Sequence, residues 1–338
     1  MKKLLTILLV FALAFTAFAN GSSEAAPVAE GEWKFERKIE LVCPWGLGGG
    51  ADSTLRPMAT LLQKELGVPV EVRNETGAGG VTAVEYVYKQ PADGYTFMLG
   101  TQSLYIQDML GNTSMDFKTE FDCVDVLVHS INMLAGSKKQ LDKYGIKNFS
   151  DLRKYAAAHP YEVSVGMLTA TGVDGMCFEI ATKGLDLNVV QYGGGSEVNA
   201  DLAGGHCDLA VGGYDDMSGL IESGDIVPLL VFCEHRLSIF PSCECTAEVG
   251  IDSYAGPWRA IFAKKGTPKA AEEALIAAIE KCRKDPSWTE FLHNAAYDER
   301  TVPAAGAELA EFCQSEYKSL RDYMKAEDTL SKDYDDLK

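Results

Sequence analysis

The residues best placed to do chemistry are Pro44, Trp45, Gly46, Leu47, Gly48, Gly49, Gly50, Ala51 and Asp52, because four of the five from 46 to 50 are glycine. Without side chains, their backbone N–H groups can approach a ligand closely. Asp52, or failing that Ser53, stands where an N-cap would open a helix. The first N–H groups of a helix lack internal partners and carry partial positive charge, so such a turn suits an anion. Similar loops recur downstream. They are Gly77-Ala78-Gly79-Gly80, Thr101-Gln102-Ser103, the stretch from Thr169 through Thr171, Gly172 and Asp174, Tyr192-Gly193-Gly194, and Gly212. The chemistry this points to is binding, with Trp45 either walling the pocket or packing beneath the loop. Arg56 lies four residues after Asp52 and is expected to pair with it on the helix.

Catalytic arrangements are harder to assemble. The chain has no G-x-S-x-G and no H-E-x-x-H, and its five histidines are scattered away from any nucleophile with an orienting third group. His206, beside Cys207, reads as a surface residue. Cys243-Glu244-Cys245 is the only close pair among nine cysteines, and without a second pair it is a weak metal signature. No metal and no cofactor are expected. The one rival chemistry is a NAD-dependent Rossmann oxidoreductase. Gly46-x-Gly48-x-x-Ala51 fits the dinucleotide fingerprint, with Glu71 ending the next strand as a ribose ligand. An export leader argues against it, since nicotinamide cofactors are scarce outside the cytoplasm.

The elements that must position these loops alternate. Ile39–Val42 reads as a buried strand, followed by a helix with Leu55, Met58, Ala59, Leu62 and Leu66 on one face. Val68–Val72 and Tyr95–Gly100 read as further strands, with a helix over 81–89 between them. Val124–Leu134 is apolar and long enough to cross between domains. The pattern then restarts. Helices are expected over 150–159 (capped by Ser150), 175–183 and 197–203, and strands over 162–167, 189–190, 207–211 and 226–232. Asp215 or Asp216 is expected to cap the helix after the third of these strands. Residues 255–263 read as a strand returning to the first domain, and three helices follow. Alternation of this kind implies α/β domains with mostly parallel sheets, whose ligands sit beyond the carboxyl ends of strands. Two domains facing across a cleft, 33–132 plus 255–338 and 133–254, would put both sets of loops around one ligand.

Residues 1–19 read as a signal peptide. Lys2 and Lys3 precede an apolar run too short to span a bilayer, and Ala17-Phe18-Ala19 is a cleavage site. Asn20 stands where a lipoprotein would need Cys, so a soluble periplasmic protein is expected. Residues 20–32 read as a flexible leader. Removing the two lysines takes the formal charge from −18 to −20. That argues against nucleic acid and anionic membrane surfaces as partners.

Taken together, the chain resembles the solute receptors of tripartite tricarboxylate transporters, the Bug receptor family, over roughly residues 36 to 325. The similarity rests on ordered motifs. P-x-x-x-G-G-x-x-D is matched by Pro44, Gly48, Gly49 and Asp52, and V-x-N-x-x-G-A-G-G by Val72, Asn74 and Gly77–Gly80. Pro91, Asp93, Gly94, Tyr95 and Thr96 match a turn, and Gly204, Gly205 and Asp208 a later one. Arg236, Pro241, Glu248, Gly250, Trp258 and Gly266-Thr267-Pro268 follow in order. The resemblance implies a two-domain Venus-flytrap binding protein of the type II periplasmic class. It also implies a carboxylated ligand held by loop backbone and water, delivery to membrane permease subunits, and no catalysis. A monomer is expected. Departures fall at the implied pocket: Trp45-Gly46-Leu47 replaces aromatic-Ala-Pro, Asp174 stands where a His is usual, and Gln191 replaces a Pro. No Lys or Arg occurs in 44–52, 76–80, 101–103, 168–175 or 191–197, so the expected donors are backbone amides and hydroxyls. Gly49 and Gly194 are then the expected sensitive positions.

Overall fold

The computed structural model describes residues 33–167, 172–192, 195–253 and 256–332. The signal peptide, the leader, Thr169, Thr171, Gly193 and Gly194 lie outside the described residues. In chain order the strands are β1 (Ile39–Cys43), β2 (Val70–Asn74), β3 (Thr96–Gly100), β4 (Phe121–His129), β5 (Asn132–Ser137) and β6 (Ser164–Met167). Then come β7 (Asn188–Gln191), β8 (Leu209–Gly213), β9 (Ile226–Val231), β10 (Glu244–Cys245) and β11 (Trp258–Lys264). The helices are α1 (Gly50–Leu66), α2 (Val81–Lys89), α3 (Gln102–Met109), α4 (Phe117–Glu120), α5 (Lys138–Tyr144) and α6 (Phe149–Ala158). They continue as α7 (Val173–Thr182), α8 (Gly195–Gly204), α9 (Tyr214–Glu222), α10 (Lys269–Cys282), α11 (Pro286–Asn294) and α12 (Ala307–Ala326).

Two mixed sheets result, one of five strands in the order β2-β1-β3-β11-β4 and one of six in the order β10-β9-β5-β8-β6-β7. Each contains one reversed strand: β11 runs antiparallel to β3 and β4, and β5 to β8 and β9. The remaining pairings are parallel. The reversed strands are those that enter a sheet directly from the other one, β5 after β4 and β11 after β10. The apolar run over 124–134 is therefore the end of β4, a two-residue crossing and the start of β5. The two crossings run side by side, with the Ser130 N–H donating to the Pro257 carbonyl at 2.9 Å. Arg300 ties the first crossing to the end of β9 by donating to the carbonyls of Ser130 and Phe232.

Local choices follow from side chains. Leu55, Met58, Ala59 and Leu62 of α1 are buried, as their spacing requires. Each Leu or Met contributes roughly 1.5–3 kcal/mol when fully buried. Gly67, left-handed at φ 71°, closes that helix. Its start differs from expectation. Gly49 is the N-cap and the helix opens at Gly50, because the Ser53 N–H already bonds the Gly49 carbonyl at 2.9 Å. Asp52 sits within the first turn. Helix α6 is capped by Asn148, whose side chain accepts from the Asp151 N–H, and not by Ser150. Helix α9 begins at Gly213 without a side-chain cap, which leaves Asp215 and Asp216 for other work. His206 is exposed, and Cys243 and Cys245 are buried, the latter in β10, which pairs parallel to β9.

Candidate ligand-binding site

A cavity of about 660 Å³ opens where the carboxyl ends of β1, β3 and β8 meet the starts of the helices that follow. The first residues of α1, α3, α7, α8 and α9, or their N-caps, line it: Gly49 and Gly50, Thr101 and Ser103, Gly172 and Val173, Gly195 and Ser196, and Gly213. Gly79 and Gly80, just before α2, join them. Helix N-termini converging on one space make it attractive to negative charge. Residues 77–80 all have positive φ, including Ala78 at 47°. A non-glycine residue there costs about 1–2 kcal/mol, and the run turns that backbone toward the cavity mouth.

Of the expected site residues, Trp45, Gly46, Leu47, Gly49, Gly79, Gly80, Thr101, Ser103, Gly172, Asp174 and Tyr192 line this cavity. Trp45 is half-buried in its wall, beside Gly80, and Leu47, 71% exposed, sits at its rim. Four others do not line it. Gly48 (φ 75°) forms the bend and donates its N–H to Asp52 at 3.0 Å. Buried Asp52 also accepts from Arg56 at 2.8 Å and from the Asn74 amide at 2.9 Å, while Asn74 donates to the Trp45 carbonyl. Burial alone would raise the Asp52 pKa; Arg56, the Gly48 N–H and Asn74 together hold it below the usual range. Asp52 is thus the brace of the glycine loop. Gln102 is buried and bridges the start of α3 to the second crossing, bonding the Gly256 carbonyl and the Trp258 N–H. Gly212 faces Met217, whose Cε would lie 2.9 Å from an added Cβ, and the lining residue is its neighbour Gly213.

Sequence reasoning missed the floor. Arg259 of β11 lines the cavity and is only 3% exposed. Its Nη2 donates to Asp215 at 2.8 Å, its Nη1 to the Tyr297 hydroxyl at 2.5 Å, and that hydroxyl lies 3.3 Å from Thr54 Oγ1. Ser130 Oγ donates to the other oxygen of Asp215. Burial works against charge on Arg259, and Asp215 outweighs it, so the guanidinium stays protonated. Asp216 also lines the cavity, and burial beside Asp215 pushes its pKa up to about 7. Burial likewise raises Asp174, against the opposing hydrogen bond from Asn132. A lone arginine inside the apolar run Trp258–Phe262 was the available signal, since a buried arginine needs a counter-charge.

A larger cleft, about 870 Å³, lies between β4 and α12 and is lined by Cys123, Cys313, Tyr317 and several lysines. Its one described glycine is Gly306, the N-cap of α12, with no glycine cluster among the described lining residues, and Lys265 and Lys269 are paired with Asp122 and Glu272. Its features do not match those of an anion site.

The dinucleotide reading fails on geometry. Glu71 is the second residue of β2, not its last, and it pairs with Lys38 at 2.8 Å. Comparison with known proteins decides the family: the model of the tripartite tricarboxylate transporter family receptor matches residues 54–327. The chain belongs to this receptor family. BugT of Bordetella pertussis is 31% identical over 253 residues, covering 72% of this chain and 75% of BugT. Among solved structures, R. palustris Rpa4515 with adipate is 26% identical, at a TM-score of 0.77 over 87% of this chain and 97% of that one. The periplasmic binding protein BugD superposes equally well, with a TM-score of 0.77 at 21% identity over 87% and 99%. The receptor thus has the two-sheet fold of periplasmic binding proteins.

Proposed function

We propose that this receptor captures a small carboxylate-bearing metabolite in the 660 Å³ cavity and presents it to the permease subunits of a tripartite tricarboxylate-type transporter, without turning it over. The observation that carries this reading is the convergence of helix N-termini and glycine loops from both sheets on one space, with no nucleophile and base beside each other among its described lining residues. The R. palustris relative solved with adipate supports the ligand class. Micromolar affinity needs about 8 kcal/mol, and hydrogen bonds to a charged group are worth roughly 1.5–3 kcal/mol each, so four or five donors suffice after the cost of closure.

The same reading makes the protein exported, periplasmic and monomeric. Its lobes are 33–132 plus 255–338 and 133–254, hinged at the paired crossings. Sheet membership supports the division, except that Asn132 already pairs with Gly213 in the second sheet. Mass spectrometry of small molecules released from freshly purified protein tests the ligand class, alongside thermal shifts over a carboxylate panel. Stabilisation by carboxylates with no product formed is the expected result; catalysed conversion of a bound compound, or tight binding of NAD, would overturn it.

A further inference from the structure

The cavity is electrically two-sided. Its lining from residues 44 to 107 carries no charged side chain and consists of glycines, hydroxyls, amides and apolar groups. The facing wall carries Asp174, in the first turn of α7, and Asp216, in the first turn of α9. Arg259 offsets only part of this wall, since one guanidinium faces Asp174, Asp215 and Asp216. It is already matched by Asp215 at 2.8 Å, with side chains 4% and 5% exposed. The partners of the other two acids are neutral. The Asn132 amide donates to Asp174 at 2.8 Å, and the Gly50 N–H donates to Asp216. Both acids are partly buried, and the space they open onto is the cavity.

A ligand with carboxylates at both ends would set a negative charge against this wall. Partly buried carboxylates that outnumber their cation are costly, and an added anion raises that cost. An ammonium group answers it, with three donors for two carboxylates, and the amide wall opposite still serves a carboxylate. We propose that the ligand is an amino-carboxylate, bound with its carboxylate on the Gly49–Gly80–Ser103 wall and its ammonium between Asp174 and Asp216. The inference rests on the receptor reading above and narrows its ligand.

Calorimetry on the full mature chain, dialysed against chelator at pH 8, tests it with probe pairs that differ only by the amino group. Suitable pairs are aspartate and succinate, glutamate and glutarate, and 4-aminobutyrate and butyrate. At least one aminated member should bind ten-fold or more tighter than its partner. Asp174→Asn and Asp216→Asn should each erase most of that preference, with the melting transition retained as the control for folding. Equal or tighter binding of the des-amino members overturns the inference and leaves the receptor reading standing. So does binding that returns only when a divalent cation is restored. Failure of every probe and of every other carboxylate overturns both readings. The wild-type comparison decides the matter even where a variant does not fold.

Discussion

Arg259 and Asp215 meet at 2.8 Å, one on the reversed strand β11 of the first sheet and the other at the start of a helix beside the second. Both are nearly sealed from water, so the pair ties the two halves at the cavity floor. Removing one partner strands a buried charge, which typically costs about 3–5 kcal/mol, whereas replacing both can be close to neutral. Arg259→Met should therefore destabilise the protein more than Arg259→Met combined with Asp215→Asn. Chemical denaturation of the two variants checks this. A double variant weaker than the single would remove the ion pair from the account.

Closure also sets the tolerance of adjacent glycines. A Cβ added at Gly50 would stand 2.1 Å from Arg259 Nη2, 2.2 Å from Asp215 Oδ2 and 2.9 Å from Asp216 Oδ1. At Gly49 it would meet only the Gly46 carbonyl, at 3.6 Å. Gly50→Ala should weaken ligand binding ten-fold or more and lower the melting temperature, while Gly49→Ala stays within a few-fold of wild type. This shifts the sensitive position one residue from the sequence-based expectation. Affinities measured in parallel for the two variants give the answer directly.

Strand and helix order was legible because each apolar run is bounded by glycine or proline turns, and the strand-end loops were legible because glycine clusters have few other uses. What the motif residues do there was less visible. Asp52 looks like a ligand contact in a one-dimensional pattern, yet it accepts from the Asn74 amide and braces the loop. Arg236, Pro241 and Glu248 likewise tie a corner, the guanidinium bonding the Glu248 carboxylate and the Pro241 carbonyl. The floor was illegible for a different reason. Arg259, Asp215 and Tyr297 lie 38 or more residues apart, and only the crossing of the chain between sheets brings them together. The direction of β5 and β11 was hidden too, since periodicity reports burial and not the sense of a strand.

Asp216 should leave a mark on the pH dependence of stability. Its folded pKa is raised to about 7, by burial and then by Asp215, above an ordinary value of 3.8. Between those values the folded protein holds a proton that the unfolded chain has released. Stability from this group therefore falls as pH rises through that window. His129 acts oppositely, since burial and Arg300 lower it to about 3 and the unfolded chain takes up the proton first as pH drops below 6.5. The difference between Asp216→Asn and wild type isolates the aspartate. The variant should gain stability relative to wild type as pH rises from about 4 to 7, in thermal unfolding without ligand. A flat difference would show that Asp216 titrates normally.

The last prediction concerns the brace. Asp52 accepts from Arg56, Asn74 and the Gly48 N–H, so its carboxylate fixes the bend from which Gly46, Gly49 and Gly50 face the cavity. Arg56 is half-exposed and its partner is not, with side chains 45% and 5% open to solvent. The two should therefore differ on substitution. Arg56→Met leaves Asp52 with two of its donors and should lower stability modestly, with ligand affinity within a few-fold of wild type. Asp52→Ala removes the acceptor for all three and lets the glycine loop move, so binding should drop by more than ten-fold although Asp52 does not line the cavity. Because the folded pKa of Asp52 is depressed below 3.8, its contribution is present above that value and fades as pH falls through the lower folded value. Calorimetric affinities with acid unfolding curves for both variants separate the roles. If Arg56→Met abolishes binding while Asp52→Ala binds normally, an arginine clamp holds the ligand and the backbone-amide account of this wall is wrong.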